Sequence, residues 1–264
     1  IIAEAAAQLV SWVIVTARDF TVKPVITLVD AYQCTRHIRP GDQLDVRGVI
    51  ENLSEEGALA HGSILVNGKP ACEMSHAVCY LYPLSELDPP ERARLQFKNL
   101  YAPSAPLPQH QPDAGFLREQ VPLRHRRWID RVIATDNEKK IVGIKNVTAT
   151  EDYFNDHFPN KPILPGVVIM QGMISLAKLL ADQLLERRGA PEKRAILKHS
   201  EKMKFRTFVQ PGDQLLIEAQ LAEFSPEKST FTAKTALEGK NAASLRIAFD
   251  HVTEEQYRRQ YLTD

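Results

Sequence analysis

A chain of 264 residues with 44% hydrophobic and 25% charged residues has the composition of one large or two small globular domains. Lysine plus arginine and aspartate plus glutamate both number 33, a balance that gives no support to a nucleic-acid partner. The three cysteines, Cys34, Cys72 and Cys79, match no zinc spacing and fit a reducing, cytoplasmic compartment better than a disulfide framework, so no metal ligands are predicted.

In chain order, the first predicted element is an apolar helix over residues 1 to about 17. Glu4, Gln8 and Arg18 interrupt it too often for a membrane span, and it lacks the basic start of a signal peptide. Nothing further along the sequence reads as a transmembrane segment either. Strands are predicted near 43–51, 58–66 and 71–81, where β-forming residues lie between turn signals. Pro89, Pro90, Pro103, Pro106, Pro108 and Pro112 then mark about 84–120 as a linker, because proline lacks a backbone donor and resists helix and central strand. Strands follow at 131–134 and 140–147, around a turn at Asp136 and Asn137. A long apolar helix runs from about 167 to 188 and stops at Arg187, Arg188 and Gly189. Strands at 214–221 and 229–237 come next.

Two stretches repeat. Pro40-Gly41-Asp42-Gln43-Leu44 returns as Pro211-Gly212-Asp213-Gln214-Leu215, 171 residues later, and the turn glycine Gly68 returns as Gly239 at the same 171-residue offset. A Pro-Gly-Asp turn, a strand and a hairpin turn in constant register predict a duplicated unit. The expectation is an α+β fold in which two long central helices are each wrapped by an antiparallel sheet, with halves at 1–83 and 121–264.

The densest chemistry lies at His157-Phe158-Pro159 and Pro162-Ile163-Leu164-Pro165-Gly166-Val167. A histidine can move a proton near neutral pH, and a helix starting at Gly166 offers unpaired N–H groups to an oxyanion. Together they point to proton abstraction next to a carbonyl. The bland readings are a buried structural histidine and a simple helix start.

From about residue 121 onward the chain resembles the β-hydroxyacyl-acyl carrier protein dehydratases of the FabA/FabZ type, which have the hotdog fold. The resemblance rests on Ile129-Asp130-Arg131-Val132, Gly143-Ile144-Lys145-Asn146-Val147-Thr148, the His157 and Gly166 motifs, Phe205-Arg206 and Pro211-Gly212-Asp213. In the first half, Glu4 followed by Gln8 resembles the family's central-helix motif, which makes the expected fold a double hotdog. The resemblance implies that His157 is the catalytic histidine and that Gly166 holds the thioester carbonyl. It also implies an acid fourteen residues after the histidine, where this chain has Gln171. Glutamine cannot exchange a proton in the accessible range, so one composite site is expected, with His157 from the second half and Glu4 from the first. Phe158, Pro165, Val167, Gln8 and Gln171 are the expected substrate-binding residues. An apolar surround is expected to bury Glu4.

The implied reaction is dehydration of a 3-hydroxyacyl thioester to the trans-2-enoyl thioester. It needs no cofactor beyond the phosphopantetheine that carries the substrate. The expected partner is an acyl carrier protein, with no nucleic acid and no membrane, and two double-hotdog chains could pair as a homodimer. Arg124, Arg126 and Arg127, and separately Lys198, Lys202, Lys204 and Arg206, could steer an acidic carrier or simply form solvated faces. The alternatives are a non-catalytic acyl-binding or scaffold module and an acyl-thioester hydrolase.

Overall fold

A computed structural model describes residues 2–36, 38, 42–100, 128–136 and 138–259. The first copy of the Pro-Gly turn, the linker prolines beyond residue 100, Arg124, Arg126, Arg127 and Asn137 lie outside the described residues.

The first helix, α1 (Ile2–Ala17), buries Ala6, Val10 and Ile14, which are four residues apart and therefore share one face. It ends where Asp19 and Phe20 turn left-handed, at φ 46° and 59°. Four strands follow, β1 (Val22–Cys34), β2 (Leu44–Leu53), β3 (Gly57–Val66) and β4 (Lys69–Pro83). Two helices, α2 (Leu84–Leu87) and α3 (Pro90–Leu100), complete this part of the chain. The second half runs β5 (Arg131–Thr135), β6 (Lys140–Asn146), a 3₁₀ turn at Asp152–Asn155, α4 (Gly166–Arg187), β7 (Lys193–Phe205), β8 (Gln214–Phe224), β9 (Lys228–Leu237), β10 (Lys240–Thr253) and α5 (Glu254–Tyr257).

All ten strands form one antiparallel sheet in the order β2-β3-β4-β1-β7-β10-β9-β8-β6-β5. The order reads the same outward from its centre: β1, β4, β3, β2 on one side and β7, β10, β9, β8 on the other. The halves join where β1 meets β7, from Leu28 opposite Lys204 to Gln33 opposite His199. The hairpins at Asn67-Gly68 and Glu238-Gly239 occupy matching places, and all four residues have positive φ, the backbone that tight antiparallel hairpins require. The fold is a double hotdog. α1 lies against β1, β2 and β3, and α4 against β6 to β10.

The larger core surrounds α4, where Met173, Leu176, Ala177, Leu180 and Leu184 meet Ile217, Phe231 and Phe249. Each of the larger side chains among these contributes about 1.5–3 kcal/mol on burial. By length and composition α4 could cross a membrane, contrary to the sequence reading. Here the sheet wraps it, and its apolar girth is that of a core helix.

Three further expectations are corrected. Leu84–Leu100, read as the start of a linker that resists helix, forms α2 and α3. Pro90 opens α3, where its missing N–H costs no hydrogen bond, and Leu84, Leu87 and Ala93 are fully buried. Cys34 and Cys72 stand directly opposite in the β1–β4 register and are joined as a disulfide. The odd cysteine count concealed a pair that only strand register brings together; Cys79 is free and buried. The sequence reading also assigns no strand to the two central ones, β1 and β7. Pro24 interrupts the first, and charged residues crowd the second.

Candidate active site

The His157 loop is held from several directions. After the 3₁₀ turn, the His157 N–H donates to Tyr153 O at 2.8 Å, and the His157 carbonyl accepts from Ile163 N at 2.9 Å. The imidazole Nδ1 lies 2.8 Å from Ile163 O. A carbonyl can only accept, so Nδ1 carries the proton and Nε2 is left with a free lone pair. Phe158 stacks on the imidazole with ring centroids 4.1 Å apart. Burial pushes the His157 imidazole below its ordinary value of 6.5, against upward pulls from the Ile163 carbonyl and from Glu4. It is therefore a neutral imidazole at neutral pH, with Nε2 able to act as a base.

The first half supplies much of this support. Phe158 and Ile163 pack with Leu87, Val25, Tyr82 and Phe208 in a small core of their own. The Asn160 N–H donates to Leu87 O at 3.1 Å and its side-chain amide to Ser85 O at 3.0 Å. Arg92 on α3 binds Asp88 at 3.1 Å and Asp156, the neighbour of His157, at 2.7 Å. Asp88 is only 2% exposed. A segment expected to be a passive connector is thus the buttress of the histidine loop.

Gly166 is the first residue of α4. Pro165 precedes it, and no side chain caps the helix. The Val168 N–H donates to Pro165 O at 2.9 Å, which leaves the N–H groups of Gly166 and Val167 for whatever occupies the space ahead. A Cβ on Gly166 would come within 2.9 Å of the Phe205 ring, so a larger residue there must displace the ring or the helix start.

His157, Gly166 and Glu4 line one cavity of about 1210 Å³ between the halves. The expected substrate-binding residues Phe158, Pro165, Val167, Gln8 and Gln171 line it as well. Glu4, expected to be buried, is half-buried. The Gln8 amide donates to Glu4 Oε1 at 3.1 Å and fixes the carboxylate. At the matching place on α4, the Gln171 amide donates to Ser175 Oγ at 3.2 Å. Val10, Ile26, Val29, Met74, Ile169 and Met203 give the cavity its apolar walls, and its volume exceeds the roughly 300–1,000 Å³ usual for small-ligand pockets. Three charged residues near the site, Lys23, Asp88 and Arg92, were absent from the sequence-based set.

A separate groove of about 420 Å³ is lined by Lys202, Lys204, Arg206, Lys234 and Arg246 with Glu218, and Arg206 lines the large cavity too. Lys202 and Lys204 have no ion pair among the described residues. His251, by contrast, is a structural histidine: Nδ1 donates to Ser225 O at 3.0 Å and Nε2 accepts from the Ser229 hydroxyl at 2.8 Å.

A family profile described as the FabA-like domain matches residues 121–246. Over 138 residues the chain is 36% identical to the 3-hydroxyacyl-[acyl-carrier-protein] dehydratase FabZ of Streptococcus sanguinis, covering 52% of this chain and 96% of that protein. It is 38% identical over 119 residues to the FabZ of Rickettsia africae, covering 45% of this chain and 81% of that one. Among solved structures, a protein described as an oleoyl thioesterase from Lactobacillus plantarum aligns over 96% of this chain and 88% of its own, with a TM-score of 0.59 at 14% identity. The tesB protein of Mycobacterium avium subs paratuberculosis aligns over 90% and 83%, with a TM-score of 0.55 at 11% identity. These two likenesses are of fold.

Proposed function

This chain belongs to the FabA/FabZ-type dehydratase family, and we propose that it removes water from 3-hydroxyacyl thioesters carried on an acyl carrier protein through one composite site between its halves. One observation carries the assignment. The Nδ1 hydrogen bond to Ile163 O leaves His157 Nε2 free as a base in the cavity that also holds Glu4.

In the forward direction His157 Nε2 takes the proton α to the thioester carbonyl. The electrons of that C–H bond move into an enolate, whose oxygen the Gly166 N–H and the start of α4 stabilise. Glu4 gives its proton to the 3-hydroxyl, the C–O bond breaks, and water and the trans-2-enoyl thioester form. A proton passed from His157 to Glu4, directly or through water, resets the site. The thioester itself acidifies the α-carbon, so these steps need no cofactor. Phe158, Pro165 and Val167 would shape the thioester end, Gln8 would hold Glu4, and Gln171 would mark the position where the second half has no acid.

The same proposal seats the acidic carrier on the Lys202, Lys204 and Arg206 groove, since Arg206 borders both groove and cavity. Lys198, counted with this cluster from sequence, is instead paired with Asp250 at 3.2 Å. Units at 1–83 and 121–264, pairing of two chains and a cytoplasmic location belong to the proposal too. The Cys34–Cys72 bond is the feature that argues for an oxidising compartment instead.

Hydration of a crotonyl thioester, the reverse reaction, tests the assignment. The intact protein is expected to hydrate it, and His157→Ala and Glu4→Gln are each expected to lose about 10²–10⁴-fold in kcat/KM. Full activity in Glu4→Gln would remove Glu4 from the site. Release of free thiol without hydration would favour the hydrolase alternative.

A further inference from the structure

Lys23 is one of the charged residues of the cavity that the reaction above does not use. It stands near the start of β1, inside an otherwise apolar stretch, and its side chain enters the cavity shared by His157 and Glu4. The ammonium lies 5.2 Å from the centroid of the Trp12 ring and 5.5 Å from that of Phe158. It has no hydrogen-bond or ion-pair partner among the described residues. Phe158 in turn stacks on the His157 imidazole. A cation is thus seated on one face of the ring assembly whose other member is the proposed base.

We propose that Lys23 is a positioning residue of the composite site: its ammonium, held on Phe158 and Trp12, keeps a proton off His157 so that the imidazole meets the substrate as a base. The inference rests on the reading of His157 as that base.

The surrounding charges define what Lys23 must do. In its ionised form Glu4 on α1 draws a proton toward His157, and Lys23 opposes it. Asp88, ahead of α3, is itself held by Arg92, which also holds Asp156 on the histidine loop. Lys145, the other lysine of the cavity, pairs with Asp130 at 3.6 Å and Glu151 at 3.3 Å, which leaves Lys23 as the lysine of the cavity without an ion pair among the described residues. Burial pushes the Lys23 ammonium below the ordinary lysine range, Asp88 and Glu4 pull it back up, and Arg92 adds to the downward push. Aromatic faces favour a cation without supplying a counter-charge that would cancel its field.

The test is the pH dependence of the whole chain. Lys23→Met keeps an unbranched apolar stem on the two rings and removes the charge. Its acid limb in kcat/KM for crotonyl thioester hydration is expected to move to higher pH by about half a unit or more, because His157 then holds its proton more tightly. Lys23→Arg is expected to restore the wild-type limb. The His157 ring resonance, identified with His157→Asn and titrated by NMR without substrate, is expected to shift in the same direction. Should Lys23→Met fail to fold, Lys23→Gln takes its place. An acid limb and a resonance that titrate as in wild type overturn the proposal, whatever happens to the plateau rate. A chain without hydration activity would count against the dehydratase reading, and the titration would still decide the role of Lys23.

Discussion

At Gly166 the absence of a side chain matters more than helix propensity. Alanine at a first helical position ordinarily favours the helix by a few tenths of a kcal/mol or more. Here the added methyl would meet the Phe205 ring at 2.9 Å, so either the ring or the helix start must shift. Gly166→Ala is therefore expected to keep its thermal stability within about 1–2 kcal/mol while losing about tenfold or more in kcat/KM, since the N–H proposed to face the enolate moves. Combining it with Phe205→Leu, which frees space, should recover part of the loss in the same hydration assay. If Gly166→Ala is fully active, the helix start is not the oxyanion donor.

Among the secondary-structure elements, the pair α2 and α3 repays study most. These helices follow the first half's last strand, yet Leu87, Ser85, Asp88 and Arg92 support the second half's histidine loop. Leu87→Ala should cost about 2–5 kcal/mol in thermal or denaturant unfolding, as a fully buried leucine does. It should also lower kcat at temperatures where the chain is still folded, because Phe158 and Ile163 lose a packing partner. Unchanged kcat would mean that the loop holds its shape without the buttress. The sequence concealed this arrangement for a physical reason. Pro89 and Pro90 signal a break, and a proline at the first turn of a helix gives the same signal as a proline in a linker. The His157 loop was legible because several rare features fall within ten residues. Lys23 was not, since the meaning of a lone lysine depends on aromatic rings brought from α1 and from the other half. Register likewise decides what Cys34 and Cys72 are, and register is not a local property.

For the whole molecule, duplication has become division of labour. The sheet is nearly symmetric about the β1–β7 seam, while the proposed site is not: its histidine comes from one half, its acid from the other, and Gln171 stands where a second acid would. The repeated turns announced the symmetry, because Pro-Gly and Asn-Gly have fixed backbone demands. The asymmetry could be read only by comparing positions on two helices. It has a consequence in genetics. Where two identical single-hotdog subunits share their sites, a chain lacking the base and a chain lacking the acid can pair and rebuild one intact site. In the proposed composite site, base and acid are inherited on one polypeptide. Co-expressed His157→Ala and Glu4→Gln chains are therefore expected to show no interallelic complementation, in cell growth or in hydration assays, even if two chains associate. Recovered activity would mean that His157 and Glu4 meet between molecules.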